Sequence, residues 1–171
     1  MRSVTLRYRL LFGGALALGV LLHFLYSWLP CSVTALVSPV CESIWEHLKV
    51  LLIPMVLLGL LPAGKHGWIP WLCSILTVCG LMLLIGWLYH IVFRGDALLF
   101  DLGLYAALML VGFWLPRILW PLAEWPGVGA ACAILTVFLF VLMLIFTFVP
   151  PGGILFADLS GGVETFLTIP V

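Results

Sequence analysis

The sequence predicts an all-α integral membrane protein, a single domain built as a bundle of five transmembrane helices. Of its 171 residues, 65% are hydrophobic and 8% are charged, whereas charged residues make up roughly a quarter of an ordinary soluble domain. Backbone groups that face lipid must be satisfied within the chain, which leaves helices or closed barrels. The apolar runs are long and do not alternate with polar residues, so they indicate helices.

Five apolar runs mark the predicted spans. The first is long enough to cross a bilayer, which distinguishes it from a cleaved signal peptide. Its Ala15 and Gly19, spaced i, i+4, predict close packing against a neighbouring helix. The second run is predicted to begin at Ser38-Pro39, because Ser caps helices and Pro suits the first helical position. The spans are residues 10–29, 39–61, 68–93, 97–115 and 127–149, and a tail of residues 150–171 follows.

The distribution of basic residues predicts the orientation of the bundle. Cytoplasmic ends of spans carry an excess of Lys and Arg, and with the N-terminus inside only Arg94 and Lys49 lie in the outer half. The cytoplasmic side then holds Arg2, Arg7, Arg9, Lys65 and Arg117. We therefore expect a cytoplasmic N-terminus and an external C-terminal tail. The net charge of zero gives no indication of nucleic-acid binding.

Ionisable side chains gather in the outer half of the predicted bundle, where they are costly and usually functional. At ~1.5 Å per residue, His23 and Glu46 each lie roughly 10 Å from the outer end of their span. A helix starting at Pro39 would place Glu42, Glu46 and Lys49 on one face. The predicted polar cluster contains His23, Glu42, Glu46, His47, Lys49 and Asp101, with His90 and Arg94 as further binding candidates.

Two interpretations of this cluster stay open. In the functional one, Glu46 or His47 is the acid or base of a catalytic site, and Lys49 binds an anion. In the structural one, the carboxylates favour a helix N-terminus, and Glu46 and Lys49 simply pair at i, i+3. A lone His in an apolar run, such as His23, is often neutral and hydrogen-bonded to another helix.

No metal or cofactor is predicted from the motifs. The sequence has no His-Glu-x-x-His, no His-x-x-x-His and no Cys-x-x-Cys spacing, although histidines and carboxylates share one depth. Cys31 and Cys41 flank the first outer loop and could form a disulfide if that side is oxidising. The other three cysteines, which lie in apolar spans, are expected to pack as small apolar residues: Cys73, Cys79 and Cys132.

One segment carries a resemblance to a known family. Residues 38–49 read Ser-Pro-Val-Cys-Glu-Ser-Ile-Trp-Glu-His-Leu-Lys, and this is similar to the Ser-Pro-Val-Asn-Glu-Ser-Val-Trp-Glu-His-Leu-Lys signature of small bacterial membrane proteins classified as a domain of unknown function. The stretch from His23 to Tyr26, Asp101 and the Phe-Thr-Phe-Val-Pro-Pro run at 146–151 also match. Cys41 stands where the family has Asn. The resemblance implies the same membrane architecture in a bacterial cytoplasmic membrane, and no activity.

Three functions are compatible with these observations. The leading hypothesis is binding of a lipid head group or another amphiphile in an outer-leaflet polar pocket. The second is a membrane-embedded hydrolase or transferase that acts on a lipid or lipid-linked substrate. The third is a non-catalytic subunit or assembly factor, with a membrane-protein partner or a homo-oligomer. Ion transport is disfavoured, because ionisable residues do not continue through the inner half of the spans.

Overall fold

The computed structural model describes residues 2–160, apart from the side chains of residues 2–5, 62, 65 and 66, and this part of the chain is helical without strands. The helices are α1 (Arg2–Trp28), α2 (Ser32–Ala35), α3 (Leu48–Pro54), α4 (Gly64–Gly86), α5 (Leu98–Ile118) and α6 (Pro126–Phe148). Helix α3 continues as a π-helix over Met55–Leu60 and a 3₁₀ turn over Leu61–Ala63, and α4 continues as a π-helix over Trp87–Val92. A 3₁₀ turn at Trp120–Glu124 precedes α6.

Four of the five predicted spans correspond to helices long and apolar enough to cross a membrane. They are Leu6–Trp28, Gly67–Val92, Leu98–Ile118 and Pro126–Phe148. The remaining apolar helix, Leu48–Leu60, is shorter. Only 17% of the apolar window in α6 is buried within the protein, against 56% in α4. Helix α4 therefore lies at the centre of the bundle, and α6 presents most of its apolar surface outward.

The predicted helix start at Pro39 is wrong, because residues 36–47 form a loop and α3 begins at Leu48. Ser38 does not cap a helix. Its hydroxyl donates to the carbonyl of Leu22 at 2.5 Å and accepts from the amide of Tyr26 at 2.9 Å. Polar side chains that bond the backbone elsewhere compete with helix formation. Ser38 thus fastens the loop to α1 instead of starting α3.

Replacing Ser38 with Ala is expected to lower the free energy of unfolding by about 1–3 kcal/mol, because a buried carbonyl loses its donor. Ser27→Ala is the matched control, since the Ser27 hydroxyl is exposed and bonds only its own helix, at the carbonyl of Phe24. Thermal melts of the two variants in the same detergent make the comparison. Equal melting temperatures would show that the loop does not depend on this contact.

The close packing predicted from Ala15 and Gly19 is confirmed. Both residues are buried, and a Cβ added at Gly19 would overlap the hydroxyl of Tyr105 and lie 2.7 Å from the carbonyl oxygen of Val50. The Tyr105 hydroxyl donates to the carbonyls of Ala15 and Leu16, at 3.2 and 3.0 Å. Helices α1, α3 and α5 therefore meet around a position that only glycine fits.

The first part of the predicted tail folds back onto the loop. The carbonyl of Leu155 accepts from the amide of Trp45 at 3.1 Å, and the amide of Leu159 donates to the carbonyl of Glu42 at 3.3 Å. Phe156 packs against Trp45, with ring centroids 5.2 Å apart. Residues 161–171 of the predicted tail lie outside the described residues. Residues 150–160 of the tail thus hold the backbone of the loop at residues 36–47 in place.

Candidate functional site

The predicted polar residues lie at one end of the bundle but divide into three groups. We call this end the loop end, because residues 29–47 cover it. The groups are the buried pair Glu46–Lys49, the imidazole–carboxylate cluster formed by His23, Glu42 and His47, and the pair His90–Asp101. The sequence placed Glu42 and Glu46 on one helix face. The loop that replaces this helix separates them.

Glu46 and Lys49 form a buried ion pair, as their i, i+3 spacing predicted. The Lys49 ammonium lies 2.5 Å from Oε2 of Glu46 and also donates to the carbonyls of Ala35 and Ser38, at 2.8 and 3.2 Å. An ammonium has three donors, so these contacts use them all. Lys49 is fully buried. This geometry gives Lys49 a role in holding the loop and leaves it no donor for an external anion.

The carboxylate of Glu46 is enclosed as well. Its Oε2 accepts from the amide of Val40 at 3.0 Å, and its Oε1 accepts from the hydroxyl of Thr147 at 3.3 Å. Thr147 was not among the predicted site residues. Thr147 is one of two hydroxyls in the apolar run of α6, with Thr136, and this was the available signal. Glu46 therefore links α3, the loop and α6.

The imidazole–carboxylate cluster is open to the outside. Glu42 has a side chain that is 51% exposed, and its carboxylate lies 3.2 Å from Nε2 of His47 and 3.9 Å from Nε2 of His23. The centroids of the two imidazole rings are 5.2 Å apart. Nδ1 of His47 lies 2.7 Å from the carbonyl of Ser43, so this nitrogen must carry a proton and donate. That bond fixes the ring with Nε2 directed at Glu42.

Glu42 and His47 favour each other's charged forms. Burial by itself lowers the pKa of His47, but its bonds to the Glu42 carboxylate and the Ser43 carbonyl reverse this and raise the pKa above its ordinary value. The negative charge of Asp101 also raises the pKa of His47. The hydrogen bond from His47 lowers the pKa of Glu42, against the opposing effect of partial burial. The cluster therefore combines an anchored imidazole with an accessible carboxylate.

His90 and Asp101 tie the end of the α4 segment to the start of α5. Nε2 of His90 lies 2.8 Å from Oδ1 of Asp101, and Nδ1 of His90 lies 2.9 Å from the carbonyl of Gly95. Arg94, the remaining candidate, is exposed in the intervening turn with φ of 54° and has no carboxylate within ion-pair distance among the described residues. The structure therefore keeps Arg94 apart from the other predicted site residues.

An apolar groove runs between α1 and α5 toward the cluster. Its volume is about 590 Å³, within the usual range of ligand pockets of ~300–1,000 Å³. Its lining includes Ala17, Val20, Leu21, Leu102, Tyr105 and Ala106. His23 follows Val20 by three residues and Asp101 precedes Tyr105 by four, which places both on the groove-lining helix faces. The end of the groove formed by Leu21 and Leu102 is therefore the end nearest in sequence to the polar residues at the loop end.

The predicted disulfide is not formed, because Cys31 is an exposed free thiol and Cys41 is a separate, partly buried one. Burial raises the pKa of the Cys41 thiol. Cys73 and Cys132, expected to pack as small residues, do so across the α4–α6 interface with their sulfurs 2.9 Å apart. The polar site is therefore built without a covalent link between its loop and the helices.

The described residues thus form a helical protein that has four helices able to span a membrane and a polar site at one end of the bundle. The chain matches the family model DUF6512, described as a family of unknown function, over residues 10–164. It therefore belongs to the DUF6512 family. No curated protein matches the chain. No solved structure matches it either.

Proposed function

We propose that this protein is a five-span protein of the bacterial cytoplasmic membrane that binds the head group of a lipid or another amphiphile. The head group would contact His23, Glu42 and His47, and the apolar part would lie in the groove between α1 and α5. The N-terminus would be cytoplasmic and the loop end external, as the basic residues favour. Helix α3 and its continuation to Ala63 would form the second, shorter pass.

The observation that supports this proposal is that α1 both lines an apolar groove, with residues up to Leu21, and carries His23 of the exposed, charged cluster two residues further on. An amphiphile needs both surfaces next to each other. The groove lies on lipid-facing parts of α1 and α5, so an acyl chain can enter it sideways from the bilayer. The cluster provides an acceptor in Glu42 and a cationic donor in protonated His47, with the His23 imidazole beside them. Zwitterionic or phosphate-containing head groups fit this combination of charges.

The test is native mass spectrometry of protein extracted gently from its own membrane, which reports bound lipid and stoichiometry together. Ala17→Trp is expected to fill the groove and lower the lipid-bound fraction at least five-fold. Ala131→Trp is the matched control, because Ala131 is exposed on α6, away from the groove. Equal lipid retention in the two variants would overturn the proposal. Recovery of a stoichiometric protein partner instead would favour a subunit or assembly factor.

A second candidate function is a hydrolase or transferase acting on a lipid or lipid-linked substrate. The observation that favours it is the anchoring of His47, whose Nδ1 is held by a carbonyl while Nε2 faces Glu42. An oriented imidazole beside a carboxylate suits general acid–base chemistry. In this arrangement Glu42, and not the enclosed Glu46, is the carboxylate partner. Incubation with membrane lipids should then yield a product that is lost in His47→Ala, whereas a pure binding protein yields none.

A further inference from the structure

Three side chains that are far apart in the sequence place their metal-ligating atoms together. His23 lies on α1, Glu42 in the loop, and His47 directly before α3. One ligand atom from each lies within 4.8 Å of the other two. The spacings in the chain, nineteen and five residues, match no common zinc motif, so the sequence predicted no metal site. The loop creates the arrangement by returning Glu42 and His47 to the side of α1.

The distances suit one small ion. Ligands at ~2.1 Å from zinc in tetrahedral geometry are ~3.4 Å from each other. Oε2 of Glu42 lies 3.2 Å from Nε2 of His47, and Oε1 lies 3.9 Å from Nε2 of His23, so each carboxylate oxygen has one imidazole nitrogen close to this spacing. The ligand atoms, which lie within 4.8 Å of one another, must move closer to bind one ion, and rotation of the partly exposed His23 side chain can shorten this distance.

The surroundings orient His47 as a ligand. Its Nδ1 donates to the Ser43 carbonyl, which is the outer contact that metal-bound histidines usually make and which leaves Nε2 free to ligate. In that tautomer Nε2 and the carboxylate of Glu42 are both acceptors 3.2 Å apart. A positive species must lie between them, and either a proton or a metal ion provides it. The tail also fixes Glu42, whose carbonyl accepts from the amide of Leu159.

We propose that His23, Glu42 and His47 bind a divalent transition-metal ion of the zinc type, with a fourth coordination position open. Two imidazole nitrogens and one carboxylate oxygen favour Zn²⁺ over Mg²⁺ or Ca²⁺, which prefer oxygen ligands. Three protein ligands with one open position are typical of sites that bind a water or a substrate oxygen. Glu42 is half-exposed, so the open position faces outward. The inference goes beyond amphiphile binding and does not depend on it.

The experiment uses the full chain in detergent, stripped with a chelator, dialysed, and titrated with Zn²⁺ in competition with a chromophoric chelator. The wild type is expected to bind one equivalent. Glu42→Gln and His47→Gln are each expected to weaken binding at least 100-fold, because one of three ligands is lost. Asp96→Asn is the matched control, since Asp96 is an exposed carboxylate outside the cluster. It should leave the affinity unchanged.

Cobalt substitution gives a second readout. Co²⁺ bound in a four-coordinate site with imidazole ligands is expected to produce a visible absorption band in the wild type that is lost in His23→Gln. Absence of stoichiometric Zn²⁺ in the wild type, or equal affinity in the ligand variants, would overturn the proposal. Because Glu42 is half-exposed, Glu42→Gln should fold, and a melt verifies this. Ala17→Trp separates the two proposals, since it should lower the lipid-bound fraction at least five-fold and leave the metal affinity unchanged.

Discussion

Replacing Glu46 with Gln, or Lys49 with Met, is expected to lower the free energy of unfolding by about 3–5 kcal/mol, because each leaves a buried charge without its partner. For a chain of this size that corresponds to a fall in melting temperature of roughly 10 °C. Both side chains are nearly inaccessible, with 4% and 1% exposure. The remaining contacts, to Val40 and Thr147 or to two carbonyls, cannot neutralise the isolated charge.

The double variant Glu46→Gln/Lys49→Met is expected to lose less stability than the sum of the two single variants, since no unpaired charge remains. Glu124→Gln is the matched control, because Glu124 is exposed and the same chemical change there should cost within ~0.5 kcal/mol. Melting curves of the four variants in one detergent provide the comparison. Additive losses would show that the two residues act independently and would contradict the paired geometry.

Gly19→Ala is expected to destabilise the protein by about 3 kcal/mol, because the new methyl group would overlap the Tyr105 hydroxyl and the Val50 carbonyl. Tyr105 can retreat only by giving up its bonds to the carbonyls of Ala15 and Leu16. The backbone of α3 cannot move without disturbing the buried residues around it. The measurement is again the melting temperature of the purified protein.

Two further variants define the cause of this effect. Gly103→Ala is the control, since a Cβ there meets nothing within 4 Å and Ala favours a helix by up to ~1 kcal/mol. Tyr105→Phe removes the nearest clashing atom and should recover part of the loss in the Gly19→Ala background. If Gly19→Ala and Gly103→Ala had the same melting temperature, α1, α3 and α5 could not meet as closely as described.

The helical architecture and most of the helices could be predicted, because long apolar runs with few charges are typical of helices able to span a membrane. The apolar runs that became α1, α4, α5 and α6 contain few charges, and their ends differ from the prediction mainly at Arg2, Gly64 and Ile118. The small face at Ala15 and Gly19 could also be predicted, because helix periodicity fixes which residues share a face. These inferences needed only local sequence.

The loop could not be predicted, because its shape depends on contacts with distant segments. Ser38 and Pro39 are typical of a helix start, yet the hydroxyl of Ser38 bonds α1, sixteen residues away at Leu22. The ammonium of Lys49 also donates hydrogen bonds to the carbonyls of Ala35 and Ser38. The sequence predicted a helix in place of this loop and therefore placed Glu42 on one face with Glu46 and Lys49, whereas it lies beside His23 and His47. The separation of the accessible cluster from the buried pair is therefore a tertiary effect.

In the proposed five-span arrangement, the short length of α3 affects how this segment is inserted into the membrane. Seven α-helical and six π-helical residues cover ~20 Å, less than the ~30 Å hydrocarbon core. The second residue of this segment, Lys49, would also meet lipid alone until the loop wraps around it. A translocon would therefore release it poorly as an independent unit. We expect α1, the loop and α4 to be synthesised before this segment is stably integrated, which makes membrane insertion and tertiary folding one concerted event.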